Sequence, residues 1–365
     1  MPTLRAEVAC SLPELQALDG QLTALSSAAG AGAFDRPGFF LPWARAAIAE
    51  GQRPVCLCLW RGGDLAAFLP LFRRRDWKAA LAWRAGPPVY GSSPAFDLLF
   101  DPQLDQQELS SALVQALEQM RWLDLTFENL PEGNRLGRCL AQAFERGGYC
   151  VGNRAGLGYY LVEGVASGAE LEAQLSSKNR RNLRSAERKL AASCEVCLSP
   201  PDDDPEAAVN VLRAVVSASW KNCPRMRHVG LQLYEDQIRG CARDGTLRFL
   251  SASLRGQPVA FVFNLADRGG THHGYFTALT PNGGELGAGT ALMFKSIKHS
   301  LDEGAVSFNL WSARHNLKRM ANSRMQTCSL RISRASLGAR LRLETASQLQ
   351  LLRQSLRSGK PRPRT

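Results

Sequence analysis

Short runs in which apolar and polar residues alternate are separated by stretches where apolar positions recur every three or four residues, so the chain predicts strands and helices in mixed order. The first half opens with a strand at Leu4 to Ala9 and a helix from Leu12 to Ser26, and a second helix covers Leu41 to Glu50. Two strand-like runs, Val55 to Trp60 and Leu65 to Phe72, flank the turn Arg61-Gly62-Gly63-Asp64 and read as a hairpin. Beyond Gly86-Pro87-Pro88 come a strand at Phe96 to Phe100, a helix from Asp105 to Met120, a strand at Trp122 to Phe127, a helix from Asn134 to Glu145 and the start of a strand at Tyr149 to Val151.

The second half repeats this plan more fully. A strand at Tyr159 to Val162 leads into a long helix from Ala169 to Ala192, a strand at Cys194 to Leu198, and helices at Pro205 to Trp220 and Leu231 to Ala242. Thr246 to Leu254, Pro258 to Leu265 and Thr271 to Leu279 then alternate as strands, joined by Arg255-Gly256-Gln257 and Asp267-Arg268-Gly269-Gly270, and predict an antiparallel meander. A glycine-bearing turn ending Gly287-Ala288-Gly289 introduces an apolar helix from Thr290 to Leu301; Gly304 ends it, and Val306 to Trp311 and Gln326 to Ile332 return as strands. From Arg331 onward nine basic residues face one acid, Glu344, in a tail that predicts a helix and then a disordered end.

A chain of 365 residues is longer than one core usually organises, and the element order divides it into 1–155, 156–335 and a basic tail, 336–365. Its apolar runs fall well short of the ~20 residues that cross a bilayer, and the N-terminus lacks a basic start followed by an apolar stretch, so a cytoplasmic location is expected. Ten cysteines are scattered too widely for a disulfide scaffold, and Cys194-Glu195-Val196-Cys197 has no second pair at zinc-site spacing, so no metal is expected. Charge separates the halves. Residues 1–155 hold 15 Lys+Arg against 16 Asp+Glu, net −1, whereas residues 156–365 hold 30 against 17, net +13. The second half should therefore meet anions.

A helix that begins directly after glycines presents free backbone N–H groups at the positive end of its dipole, and small residues let a pyrophosphate come close. Gly287, Ala288, Gly289 and Thr290 have that form, which a plain strand-to-helix turn shares. The loop ends Gly289-Thr290-Ala291, without the Gly-Lys-Ser/Thr of a Walker A loop, and no early βαβ unit suits a dinucleotide fingerprint. The corresponding turn of the first half, Phe100-Asp101-Pro102-Gln103-Leu104-Asp105, has no glycine and two acids, so one cofactor site per chain is expected.

Several further segments complete the pattern: Leu69 to Arg75, the basic run Ser177 to Arg184, Trp220, the strand Gln257 to Asn264, the Gly287 to Thr290 turn, and Asn309 followed by Lys318. In this order the chain resembles the GNAT-like acetyltransferases of the CelD/BcsL type, associated with bacterial polysaccharide synthesis and related in fold to the FemABX peptidyltransferases. The resemblance implies an α/β (α+β) fold of tandem GNAT-like (acyl-CoA N-acyltransferase) domains, each a mixed, mostly antiparallel sheet flanked by helices. It also implies acetyl-CoA or another acyl-CoA as co-substrate, with an amine or hydroxyl of a sugar or polysaccharide precursor as acceptor. Members often carry Asp where Asn309 stands, Tyr where Leu317 stands, and Gln or Arg where Gly284 stands.

Acyl transfer needs a base for the acceptor's proton and a donor for the developing oxyanion. His273 and Tyr275 share one face of the last meander strand and, with Asn309, are the candidate catalytic residues. Lys178, Arg180, Arg181 and Arg184, with Trp220 and Lys318, are the candidate acceptor-binding residues, because forked guanidinium groups suit phosphate oxygens. The same arginines also fit a solvated face of a core helix. Two other readings stand beside acyl-CoA chemistry: a FemABX-like aminoacyltransferase using aminoacyl-tRNA, and a non-catalytic GNAT-fold protein whose basic surface meets membrane or nucleic acid.

Overall fold

The computed structural model describes residues 4–76, 82–88, 96–120, 122, 124–131, 140–141, 144–145, 147–156, 158–199, 204–224, 226–311 and 315–334. Most of the helix expected from Asn134 to Glu145, and the tail 336–365, lie outside the described residues. Among the described residues no helix is long and apolar enough to cross a membrane.

The predicted meander forms with short turns: Leu247–Leu254, Gln257–Ala266 and Thr271–Leu279 pair antiparallel in succession. They are the centre of a seven-stranded sheet whose order is Glu195–Ser199, Leu247–Leu254, Gln257–Ala266, Thr271–Leu279, Ser307–Asn309, Tyr159–Glu163, Ser323–Met325. A second sheet runs Arg53–Pro54, Phe72–Asp76, Ala82–Gly86, Asp124–Pro131, Thr327–Ser333, Cys150–Ala155, and a third joins Arg5–Ala9, Cys56–Arg61, Asp64–Leu69 and Leu99–Phe100.

The two larger sheets share a pattern. In the first half Ala82–Gly86 pairs parallel with Asp124–Pro131, and then come Thr327–Ser333 and Cys150–Ala155, each antiparallel to its inner neighbour. In the second half Thr271–Leu279 pairs parallel with Ser307–Asn309, followed likewise by Tyr159–Glu163 and Ser323–Met325. The inner strand of the first-half pair, Thr327–Ser333, comes from the second half. Tyr159–Glu163 follows Cys150–Ala155 in sequence yet pairs in the seven-stranded sheet, and Thr327–Ser333 follows Ser323–Met325 yet pairs in the six-stranded one. Thr327–Ser333 of the second half is thus exchanged into the six-stranded sheet, whose other strands all lie within residues 1–155. Buried Asp124 holds the exchanged strand by accepting from Ser333 Oγ and Arg331 Nη2.

Cores are shared as well. Phe39 and Trp43 from the helix Pro37–Ala49 pack in one cluster with Val215, Leu233, Phe249 and Phe263 of the second half. That helix crosses the helix Leu231–Arg243 at Gly38 and Gly240, where a Cβ on Gly240 would lie 2.2 Å from the Gly38 carbonyl oxygen, so only glycine permits the approach. Gly38 N–H donates to Asp244 Oδ2 at 2.8 Å, and Ala33 N–H donates to Asp267 Oδ1 at 2.5 Å.

Three expectations change in detail. The helix expected from Ala169 to Ala192 is two, Gly168–Gln174 and Ser177–Ser193, because Ser176 caps the second by accepting from Asn179 N–H at 3.3 Å. The first helix likewise divides into Leu12–Ala17 and Asp19–Ala28. The segment before Gly287 contains a helical turn, Pro281–Glu285, capped by the Thr280 hydroxyl.

Candidate functional site

The site is built where two parallel strands part. Thr271–Leu279 and Ser307–Asn309 pair only at Thr271 with Ser307, His272 with Phe308 and His273 with Asn309. After Asn309 the chain leaves: Leu310 N–H and the Trp311 carbonyl bond Tyr160 on the neighbouring strand. Beyond His273 the longer strand thus has no strand on that edge among the described residues, and a wedge opens toward Leu279. On its other edge the register slips, since Asn264 pairs with Gly274 and Phe263 with Phe276, which makes Tyr275 the extra residue of a bulge. Bulges turn a strand locally and commonly lie beside active sites.

The wide end of the wedge carries the glycine turn. Gly287 has φ 67°, a left-handed conformation that glycine adopts without a side-chain penalty, and it opens the helix Ala288–Asp302 with no side-chain cap. Among the described residues the N–H groups of Ala288 and Gly289 have no backbone acceptor, while Thr290 N–H donates to the Gly287 carbonyl at 3.2 Å. A Cβ on Gly289 would lie 3.0 Å from Leu279 Cδ2 and 3.8 Å from Thr277 Cγ2, so the turn sits directly against the strand. From Thr277 back to His273 is four residues, about 13 Å of strand, a span that suits an extended pantetheine arm between a phosphate at the turn and an acyl group at the apex.

The first half lacks this arrangement. Its corresponding helix, Gln106–Gln119, starts at Asp105, whose Oδ1 accepts from Gln107 N–H at 3.0 Å and Glu108 N–H at 2.9 Å. A carboxylate already occupies the place where an anion would bind.

At the apex, His273 is 7% exposed and its Nε2 lies 2.8 Å from Asp267 Oδ2, while its Nδ1 is buried without a hydrogen-bond partner. Burial raises the Asp267 carboxyl, but the His273 hydrogen bond and charge and the Ala33 N–H outweigh it, leaving a net lowering. The rings of Phe34 and Trp311 stand 4.9 Å and 5.6 Å from His273. Trp311 has φ 55°, a conformation that costs a bulky residue roughly 1 to 3 kcal/mol. Asn309 supports it, with Oδ1 accepting from Trp311 N–H at 2.8 Å. Tyr275 donates to Gln237 Oε1 at 3.0 Å within an aromatic cluster of Phe39, Trp43 and Phe263. The adjacent His272 lies apart from the dyad; burial, with Arg248 assisting, pushes it down to about 4. Asp35, half-buried near Asp97 and Asp267, is held well above the usual carboxylate range by desolvation and by those charges.

The loop after the helix Pro205–Ser217 reaches the wedge from the side. Lys221 donates its ammonium to the Thr277 carbonyl and lies 4.2 Å from the Phe276 ring centre, and neighbouring Trp220 is 67% exposed. Lys318 Nζ stands 4.7 Å from the Tyr160 ring centre.

The structure therefore joins His273, Tyr275 and Asn309 at the apex and sets Gly287, Ala288, Gly289 and Thr290 at the mouth. It keeps the arginine helix apart. Leu183 and Leu190 of Ser177–Ser193 pack toward Leu292 and Phe294 of the helix Ala288–Asp302, while Arg180, Arg181, Arg184 and Arg188 line an open groove of about 660 Å³ on the outer side. Arg184 pairs with Glu172 at 2.7 Å and Arg180 reaches the Leu175 carbonyl; Lys178, Arg181 and Arg188 have no partner among the described residues. From this helix it is Lys189 that reaches the turn, donating to the Glu285 carbonyl at 2.6 Å. Sequence reasoning missed Asp267 and Lys221, the first because it reads as an ordinary hairpin-turn residue. Among the described residues no cluster of metal-ligating side chains is present and the cysteines are free.

Residues 177–319 match the family described as acetyltransferase (GNAT) domain. No curated protein matches the chain. Among solved structures, the C-terminal domain (DUF2156) of a protein assigned as lysylphosphatidylglycerol synthetase from Agrobacterium fabrum overlays with a TM-score of 0.56 at 12% identity, covering 93% of this chain and 97% of that one. FemX overlays with a TM-score of 0.54 at 10% identity, covering 88% and 96%. At such identities the overlays speak for the fold, a GNAT fold of mixed, mostly antiparallel sheets flanked by helices. Residues 177–319 are a GNAT acetyltransferase domain, and the chain that carries them is an acyltransferase.

Proposed function

We propose that this enzyme transfers an acetyl or longer acyl group from acyl-CoA to an amine or hydroxyl of a sugar or polysaccharide precursor, in the manner of the CelD/BcsL-type proteins it resembles. The observation that carries the reading is the uncapped helix start at Gly287, placed at the mouth of a strand wedge of matching length. The N–H groups of Ala288 and Gly289 receive the phosphates, with Lys189 and Lys221 supplying positive charge on either side. The open edge of Thr271–Leu279 receives the arm, and the acyl carbon comes to rest near His273 and Asn309. Exposed Trp220 offers a flat apolar face to a sugar ring.

Acetyl-CoA should raise the melting temperature in a concentration-dependent way, as any ligand that binds only the folded state does. No shift up to millimolar acetyl-CoA or longer acyl-CoA would sink this reading.

A second reading draws on the overlay with FemX and on the unpaired Arg181 and Arg188: an aminoacyl group carried by tRNA, with the nucleic-acid backbone on the arginine helix. Salt-dependent retention of tRNA together with absent acyl-CoA binding selects it.

A further inference from the structure

The turn Asp267 to Gly270 joins two meander strands, yet its carboxylate is not spent on the turn's own side chains. Asp267 Oδ1 receives Ala33 N–H of the first half at 2.5 Å, and Oδ2 receives His273 Nε2 at 2.8 Å. Ala33 is fully buried and opens a single helical turn, Ala33–Asp35; Gly32, just before it, would place a Cβ 3.4 Å from the same carboxylate. Phe34, next along, packs edge-on against the His273 ring. The first half thus fixes both the carboxylate and the ring.

The consequence lies in the tautomer. An ionised carboxylate is an acceptor only, so a neutral His273 keeps its proton on Nε2 and has its lone pair on Nδ1. Nδ1 is the buried atom without a partner, and Trp311, whose ring centre lies 5.6 Å from that of His273, has an Nε1 that is also buried and unpartnered. Two unpartnered buried polar atoms on adjacent side chains call for an explanation, and a reacting group that bonds them supplies one.

We propose that Ala33 N–H and Asp267 form a positioning relay across the two halves that holds His273 with Nδ1 as the basic nitrogen for acyl transfer. The proposal rests on the acyl-transfer reading above. In the step itself the acceptor's nitrogen or oxygen bonds the thioester carbon, the carbon–sulfur bond breaks, and the sulfur leaves with its electron pair. The acceptor's proton passes to Nδ1 and from there to the thiolate. Asp267 stays ionised and stabilises the imidazolium; His273 is the catalytic residue, Asp267 and Ala33 are positioning residues.

Asp267→Asn is the decisive variant. Its Oδ1 can still accept from Ala33 N–H, but its amide then donates to His273 Nε2 and drives the ring proton onto Nδ1. Thiol release from acetyl-CoA is measured with saturating glucosamine and with water as the acceptor, alongside acetyl-CoA binding and 15N–1H correlation spectra of the histidine rings. The expected result is a fall in kcat of at least about a hundredfold, the lower end of what a general base contributes, with unchanged acetyl-CoA affinity and a switched His273 tautomer. Ala33→Pro removes the single N–H; Gly32 already has φ −63° and ψ 164°, which a following proline favours, so a roughly tenfold fall in kcat at unchanged affinity is expected. Wild-type turnover in Asp267→Asn, or an unaltered tautomer, overturns the relay. Failure of the wild type to bind or cleave acetyl-CoA overturns instead the acyl-transfer reading, and the tautomer in the spectra still reports whether Asp267 holds the ring.

Discussion

Gly289→Glu tests the glycine turn with a charge of the wrong sign. The added Cβ meets Leu279 Cδ2 at 3.0 Å, a contact that side-chain rotation relieves, and φ at this position is not left-handed. The new carboxylate lies in the first turn of the helix Ala288–Asp302, where an acid stabilises the helix by about 0.3 to 1 kcal/mol, so the fold is expected to survive. Binding is a different matter. One negative charge about 4 Å from one phosphate charge costs about 4 kcal/mol at an effective dielectric near 20, which is on the order of a thousandfold in affinity. Calorimetric titration with acetyl-CoA should therefore give strong binding in the wild type and loss by about three orders of magnitude in the variant, with melting temperatures of the two free proteins within a few degrees. Equal affinity in a folded variant would refute the placement of phosphate at this turn.

Two further outcomes follow from the structure. His272 is 6% exposed and pushed down to about 4, so the unfolded chain binds its proton first; stability is present above the unfolded value near 6.5 and is lost as pH falls toward 4, by about 3 kcal/mol. Urea titrations across that window should show the loss, and His272→Leu should flatten it; an unchanged slope would refute the assignment. Arg331→Met removes a guanidinium from Asp124, which has no exposed surface, and should destabilise the exchanged strand by about 3 to 5 kcal/mol. Denaturant midpoints report it, and a loss below 1 kcal/mol would show that Asp124 is neutral or otherwise compensated.

Much of the second half was legible because its signals are local. The alternation from Thr246 to Leu279 and the glycines in its turns define the meander, and Gly287 marks the helix start that the structure shows with a left-handed φ. What could not be read is non-local. The crossing of Thr327–Ser333 into the six-stranded sheet leaves no trace in periodicity, because a strand's pattern says that one face is buried but not in which sheet. Asp267 acquires its place only when Ala33, more than two hundred positions earlier, comes to meet it. Ser176 was missed as a helix boundary because the arginines and leucines on its C-terminal side continue the helical period without interruption.

The strand exchange also explains how a half without a binding turn persists in the chain. The six-stranded sheet is completed by a strand whose sequence belongs to the second half, so the first half has no full sheet when isolated, and the burial of Leu330 and Ile332 in the first core depends on the chain that leaves the second. The first half is therefore free to replace a phosphate-binding helix start with the Asp105 cap, which satisfies two N–H groups of its own helix without any ligand. Its remaining contribution is geometric. The glycine crossing at Gly38 and Gly240 brings the helix Pro37–Ala49 close enough for Ala33 and Phe34 to reach the dyad, and a larger residue at either glycine would drive backbone from backbone and withdraw them. One half carries the glycine turn at which the proposed co-substrate would bind, and the other holds the geometry of the residues at the far end of the wedge.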